Sequence, residues 1–91
     1  MNASISLKAE CHYERLTGKN PYTLLEKFEE SIKSGIGRRD ILFLIAYTKD
    51  STTTLESVED MSEEKQTELF ESFFNTLKEA KAKRDANEKQ A

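Results

Sequence analysis

Cys11 and His12 are the residues whose types best suit nucleophilic chemistry, because an imidazole can activate a thiol to attack a substrate. Their spacing argues against that role. Adjacent residues point to different sides of a helix, whereas a Cys–His pair needs hydrogen-bond reach and a third orienting group. We therefore predict that His12 packs or lies on the surface and that Cys11 is a passive buried thiol. Since Cys11 is the only cysteine, no intrachain disulfide can form.

Four carboxylates lie close together in the second half of the sequence: Glu59, Asp60, Glu63 and Glu64. A calcium loop needs alternating oxygen ligands, a central glycine and a final bidentate glutamate, and that spacing is absent. Helix capping and solvation explain the cluster better, because negative charge is favoured in the first turn of a helix. The alternative is an acidic docking surface for a basic partner. We predict no catalytic residue, no metal site and no cofactor.

Arg38 and Arg39 are adjacent cations at the start of a predicted helix. Their simplest role is as solvated helix ends, or as partners of Asp40 or of the acidic segment. The functional alternative is that they dock a protein or a phosphate backbone. Residues 50–72 hold one Lys or Arg against eight Asp or Glu, which weighs against nucleic acid because binding depends on neutralising phosphates. A small helical DNA-binding or regulatory protein that uses Arg38 and Arg39 is therefore the second hypothesis.

Phe70, Phe73 and Phe74 fall within five residues, and Leu77 extends the same apolar helix face. Packing in the core is the default role for such a face. The helix is long, however, for a chain of 91 residues with little core to absorb it. Aromatic residues are also enriched at the centres of contact surfaces. We predict that part of this face binds a partner protein or a second copy of the chain.

Helices must position these residues, because strand formers are scarce and the chain holds one Pro and three Gly. The apolar run 41–47 fits a buried strand nearly as well as a helix. No second strand exists to pair with it, so we predict a central helix. Gly18 is predicted to end the first helix, and Asn20 and Pro21 to begin the second. Helical spacing predicts five segments, over about residues 4–17, 21–34, 38–49, 55–60 and 63 into the eighties.

The predicted fold is all-α, a small single-domain bundle of about four to five helices with a long C-terminal helix. Residues 1–80 form the helical domain, and residues 81–91 form a charged tail that is a helical extension or disordered. No apolar run approaches the roughly 18 residues of a membrane span. The sequence therefore predicts a soluble cytoplasmic protein that binds no membrane.

Three stretches of the sequence carry a resemblance to a known family. The segment ERLTGKNPYTLLEKF resembles the helix, Gly-Lys-Asn turn and following helix of tail assembly chaperones from long-tailed (siphovirus-type) bacteriophages. DILFLIAYT is similar to their central helix, and TLESVEDMSEEKQTELFESFFNTLKEA to their polar link, short helix and final helix. The resemblance spans about residues 5–80. Many relatives carry an extended or strand-like lead, whereas this chain begins almost at the first helix.

The resemblance implies an all-helical chaperone in the cytoplasm of an infected bacterium. Such a protein binds the tape-measure protein, helps recruit tail-tube subunits, and is absent from the mature virion. It implies no nucleotide hydrolysis. We also expect no catalysis, no cofactor, no binding of nucleic acid or membrane, and a homo-oligomer. The predicted protein-binding residues are Phe70, Phe73, Phe74, Leu77, Arg38 and Arg39.

Overall fold

The computed structural model describes the backbone of residues 5–90 and the side chains of residues 5–79. Within the described backbone there are six α-helices and no strand. They are α1 (Leu7–Thr17), α2 (Pro21–Glu26), α3 (Phe28–Lys33), α4 (Gly35–Lys49), α5 (Leu55–Glu59) and α6 (Glu63–Gln90). The all-α prediction is confirmed, and so is the long C-terminal helix. None of the described helices combines the length and the apolar character needed to cross a bilayer.

Helix α4 lies at the centre of the fold, and the other five helices all pack against it. Every residue from Ile41 to Tyr47 is buried, and Phe43 and Leu44 are completely inaccessible. A helix that is apolar around its whole circumference needs neighbours on every side. The surrounding helices supply those neighbours, so the run 41–47 is the central helix that its composition predicts.

Helix α4 begins at Gly35, earlier than the predicted start at 38. Ser34 caps it, because its hydroxyl accepts a hydrogen bond from the Gly37 N–H at 3.3 Å. Gly37 packs so closely against the end of α3 that a Cβ at this position would collide with the carbonyl oxygen of Ser31. The predicted segments 21–34 and 38–49 left Gly35 and Gly37 between two helices. The two glycines lie instead in the first turn of α4, where Gly37 is required for space.

The single helix predicted after Pro21 is in fact two helices, α2 and α3. They are separated at Lys27, whose φ of −109° and ψ of 45° are not helical. The Ser31 hydroxyl donates a hydrogen bond to the Leu24 carbonyl oxygen at 3.2 Å across this break. Both segments pack against α4. The predicted count of four to five helices is therefore too low by at least one.

The predicted boundary between α1 and α2 is confirmed. Gly18 has a φ of 71° and ends α1 in the left-handed conformation that glycine adopts without a Cβ penalty. The Asn20 side chain accepts a hydrogen bond from the Tyr22 N–H at 2.9 Å and caps α2, with Pro21 at its first position. At the other end of α1 the cap is Ser6. Asn2 and Ser4, whose side chains could also cap a helix, lie outside the described residues.

Helix α6 is long and begins as predicted. Ser62 caps it, since its hydroxyl accepts a hydrogen bond from the Lys65 N–H at 3.2 Å. Glu63 and Glu64 occupy the first turn, where they complement the helix dipole. The helical backbone is continuous through position 80 to Gln90. The side chains of the predicted tail, residues 81–91, lie outside the described part of the chain.

Candidate protein-binding site

Phe28 of α3 joins the phenylalanines of α6 into one cluster. Its ring centroid lies 6.0 Å from that of Phe70, 5.9 Å from that of Phe73 and 5.5 Å from that of Phe74. Two of these contacts are edge-to-face, the geometry that the quadrupoles of aromatic rings favour. The sequence alone did not indicate this contact between Phe28 and α6, because the two helices are far apart along the chain.

The four residues predicted on the α6 face are not equally accessible. Phe73 is only 5% exposed and belongs to the core with Leu69. Phe70 is half-buried, whereas Phe74 is 42% exposed and Leu77 is 39% exposed. Phe73 therefore supports the face from beneath. The residues that a partner can touch are Phe70, Phe74 and Leu77.

The spacing of apolar residues on α6 explains this division. Leu69 and Phe73 are four residues apart and lie on the side that faces the core. Phe70, Phe74 and Leu77 follow the i, i+4, i+7 pattern along an adjoining stripe. The apolar arc of α6 is thus wider than its contact with the core requires. The accessible part of this arc consists of Phe70, Phe74 and Leu77. Together with the half-buried Phe28 of α3, we call it the aromatic surface.

Charged side chains surround the aromatic surface unevenly. Its N-terminal side carries four exposed carboxylates of α6, which are those of Glu63, Glu64, Glu68 and Glu71. Glu68 pairs only loosely with Lys65, at 3.8 Å, and an exposed pair of this kind contributes little to stability. On the C-terminal side, Lys78 and Glu79 are both exposed. The apolar centre of α6 therefore has an acidic stretch before it and a pair of opposite charges after it.

Arg39 is held by two carboxylates. Its Nη1 donates to Glu59 Oε2 at 2.9 Å, and its Nε donates to Asp40 Oδ1 at 3.0 Å. These hydrogen bonds, that to Glu59 first, raise the pKa of Arg39 above its usual value. Arg38 is exposed, and within residues 5–79 its side chain donates only a long hydrogen bond, at 3.5 Å, to the Ile32 carbonyl oxygen. The two arginines therefore do not form one basic patch.

Asp40 is buried at 1% exposure and connects Arg39 to α1. Its Oδ2 accepts a hydrogen bond from the Tyr13 hydroxyl at 2.7 Å. Burial, reinforced by this hydrogen bond to Asp40, raises the pKa of Tyr13. We call the chain of Tyr13, Asp40, Arg39 and Glu59 the polar network. It ties α1, α4 and α5 together. The sequence indicated that Arg39 could pair with Asp40 but not that Tyr13 would join them.

A groove links Arg38 to the aromatic surface. One part of it has a volume of about 350 Å³ and lies between the start of α4 and the side chains of Val58, Glu59 and Gln66. A neighbouring depression of about 340 Å³ is lined by Arg38, Glu63, Gln66, Thr67 and Phe70. Arg38 and Phe70, predicted separately, thus line the same depression, and Phe70 also belongs to the aromatic surface.

The predictions for α1 are only partly correct. His12 packs as predicted, with its ring centroid 4.6 Å from that of Tyr47 in a stacked arrangement. Cys11 is exposed, so the predicted burial of its thiol is wrong. Helical spacing from His12 places Leu16 on the inward face of α1, but Leu16 is 52% exposed. Cys11 is exposed because it lies two residues before the buried Tyr13, on nearly the opposite side of α1.

No protein-family model matches the sequence, and no curated protein and no solved structure matches it either. Function must therefore be inferred from the site. Its accessible part combines aromatic and aliphatic side chains with a charged rim, and among the described residues no cluster of His, Cys, Asp and Glu could hold a metal ion. Aromatic centres with charged rims are typical of protein–protein contacts.

Proposed function

We propose that the chain is a chaperone that binds other proteins through its aromatic surface. The clients expected from the family resemblance are the tape-measure protein of a phage tail and the tail-tube subunits recruited to it, in the cytoplasm of an infected bacterium. One observation carries the proposal. Leu69 and Phe73 are the residues by which α6 packs into the core, whereas Phe74 and Leu77 of the same helix remain substantially exposed.

The size of the aromatic surface suits reversible binding. Complete burial of an aromatic or leucine side chain contributes about 1.5–3 kcal/mol, and these side chains are already partly buried. Association itself costs several kcal/mol, so a surface with only four such side chains binds one apolar segment weakly. Many weak contacts along a long client still give strong overall binding, because linked sites act together. A chaperone that coats a client and later leaves needs this combination.

The proposal is tested by co-expression with the tape-measure protein encoded in the same phage genome. We expect the chain to keep that protein in the soluble fraction and to copurify with it. Phe74→Asp places a charge in the aromatic surface, so copurification should fall at least about tenfold. The helical circular dichroism spectrum should be unchanged, because Phe74 is already 42% exposed.

Leu16→Asp is the matched control. Leu16 is also an exposed apolar residue on a helix, but it lies on α1. We expect it to leave copurification as in the natural sequence. Equal binding by the Phe74→Asp and Leu16→Asp variants would show that the aromatic surface does not hold the client.

The DNA-binding hypothesis gains no specific support from the structure. Both Glu59 and Asp40 neutralise Arg39, and the groove beside Arg38 is also lined by Glu63. A phosphate backbone would have to compete with these carboxylates. We therefore propose protein binding alone.

A further inference from the structure

We propose that the aromatic surface also binds a second copy of the chain, with the two α6 helices antiparallel and Glu71 of each copy beside Lys78 of the other. The inference rests on the proposed function in one respect, which is that this surface binds protein. It goes further by naming an occupant and an orientation. It also implies that self-association and client binding compete for Phe74 and Leu77.

The spacing on α6 is that of a helix-pairing seam. Phe70, Phe74 and Leu77 are separated by four and then three residues, which places them at successive d, a and d positions of a heptad. Phe74 and Leu77 are the two most exposed members of this seam. Glu71 and Lys78 are both exposed and stand seven residues apart. They therefore occupy the same flanking position, the e position, of consecutive heptads.

The two flanks of the seam differ, and this difference selects the orientation. In a parallel pair the e position of one helix meets the g position of the other, whereas in an antiparallel pair e meets e. The g positions here hold Gln66 and Phe73, which are half-buried and buried within the chain's own core. Only the antiparallel arrangement places Glu71 beside Lys78 of the second copy. Two-fold symmetry then produces that ion pair twice.

The charges along α6 favour the same orientation. Residues 62–71 hold four acidic residues against one basic residue, and residues 78–84 hold four basic residues against one acidic residue. The helical backbone is continuous through both stretches. A parallel pair would place acidic beside acidic and basic beside basic. An antiparallel pair centred between Phe74 and Leu77 places each acidic stretch beside the basic stretch of the other copy.

The test uses sedimentation equilibrium of the full chain at low salt. The natural sequence is expected to associate reversibly to a dimer. Glu71→Lys and Lys78→Glu each convert two attractive pairs into two repulsive ones, so each should raise the dimer Kd by about tenfold. An equimolar mixture of the two variants should form a heterodimer of near-natural affinity, because positions 71 and 78 of the two chains then again carry opposite charges. The mixture also excludes a simple folding defect, since misfolded chains do not restore each other.

Matched controls come from exposed charges on the far side of α6. Glu79→Lys and Lys65→Glu make the same charge changes away from the seam and should leave the Kd within about twofold. A natural chain that stays monomeric at millimolar concentration would overturn the inference. A dimer whose Kd is unchanged by both Glu71→Lys and Lys78→Glu would also overturn it. The same holds if the two variants dimerise weakly alone and still fail to associate when mixed. If the dimer behaves as expected but the tape-measure protein does not copurify, the client assignment fails and the antiparallel pairing stands.

Discussion

The surroundings of Asp40 and the aromatic surface differ in how they treat side chains that are unfavourable where they lie. Asp40 is a carboxylate that lies almost completely out of water, and it is satisfied by Tyr13 and Arg39 within the same chain. Phe74 is a large apolar side chain that lies substantially in water. The first region encloses a charge and pairs it, whereas the second leaves apolar area accessible.

This difference separates what holds the fold together from what is available to a partner. An unpaired buried charge is costly, so the polar network is closed and specifies how α1 and α5 sit on α4. An exposed phenylalanine costs the folded state little, because it is also exposed in the unfolded chain. Substitutions in the first region should therefore change the free energy of unfolding. Substitutions at Phe74 or Leu77 should change binding.

The largest expected effect is at the centre of α4. Leu44→Ala removes a completely buried side chain and should lower the free energy of unfolding by about 2–5 kcal/mol, because the cavity cannot collapse against five packed helices. Ile36→Ala, on the same helix but 57% exposed, should cost less than about 0.5 kcal/mol. Urea unfolding followed by circular dichroism measures both. Similar costs for the two variants would mean that α4 is not the core.

A smaller loss is expected when the polar network is broken. Asp40→Ala leaves the Tyr13 hydroxyl without an acceptor and Arg39 with only Glu59, so unfolding should become easier by about 2–3 kcal/mol. Asp60→Ala removes an exposed carboxylate of the acidic segment and should change stability by less than about 0.5 kcal/mol. If Asp40→Ala left the free energy of unfolding unchanged in the same urea experiment, the polar network would not be what holds α1 and α5 on α4.

The smallest effect concerns Tyr13 and depends on pH. Tyr13→Phe should cost about 1 kcal/mol at pH 7 for the lost hydrogen bond. The pKa of Tyr13 is raised in the folded chain, and its unfolded value is about 10. Its contribution is therefore fully present below about pH 10 and is lost as pH rises further, because the unfolded chain releases the proton first.

Urea unfolding between pH 8 and pH 11 measures this dependence. The advantage of the natural sequence over Tyr13→Phe should shrink above about pH 10, by at most about 1.4 kcal/mol per pH unit. The remaining tyrosines are common to both proteins and cancel in the comparison. If the free energies of unfolding of the natural sequence and of Tyr13→Phe differ by the same amount at every pH up to 11, Tyr13 ionises in the folded chain as freely as in the unfolded one.

Features encoded by neighbouring residues could be predicted from the sequence. Gly18 ends α1, and Asn20 and Pro21 begin α2, because these residues act on the backbone next to them. The buried run of α4 was recognisable from its composition. The sequence predicted that part of the apolar face of α6 is accessible, but it did not predict that Phe73 is buried and Phe74 is exposed. That assignment depends on how α6 packs on α4.

Features that depend on distant residues could not be predicted. The break at Lys27 has no glycine or proline to announce it, and the α3 that follows packs against α4. Tyr13, which donates a hydrogen bond to Asp40, lies 27 residues away from it, a separation that no local pattern reveals. The exposure of Cys11 depends on which side of α1 meets the core. In each case the deciding contact joins elements that are separate in the sequence.

The close approach at Gly37 limits how this sequence can change over generations. The Ser31 carbonyl oxygen lies where a Cβ at position 37 would have to be, so the space there admits only the hydrogen atom of a glycine. The neighbouring Ile36 is largely exposed and is free to be replaced. Related sequences that keep this close packing between α3 and α4 must keep the glycine. The aromatic surface can change together with the proteins that it binds. Position 37 is therefore a marker by which distant relatives of this fold can be recognised.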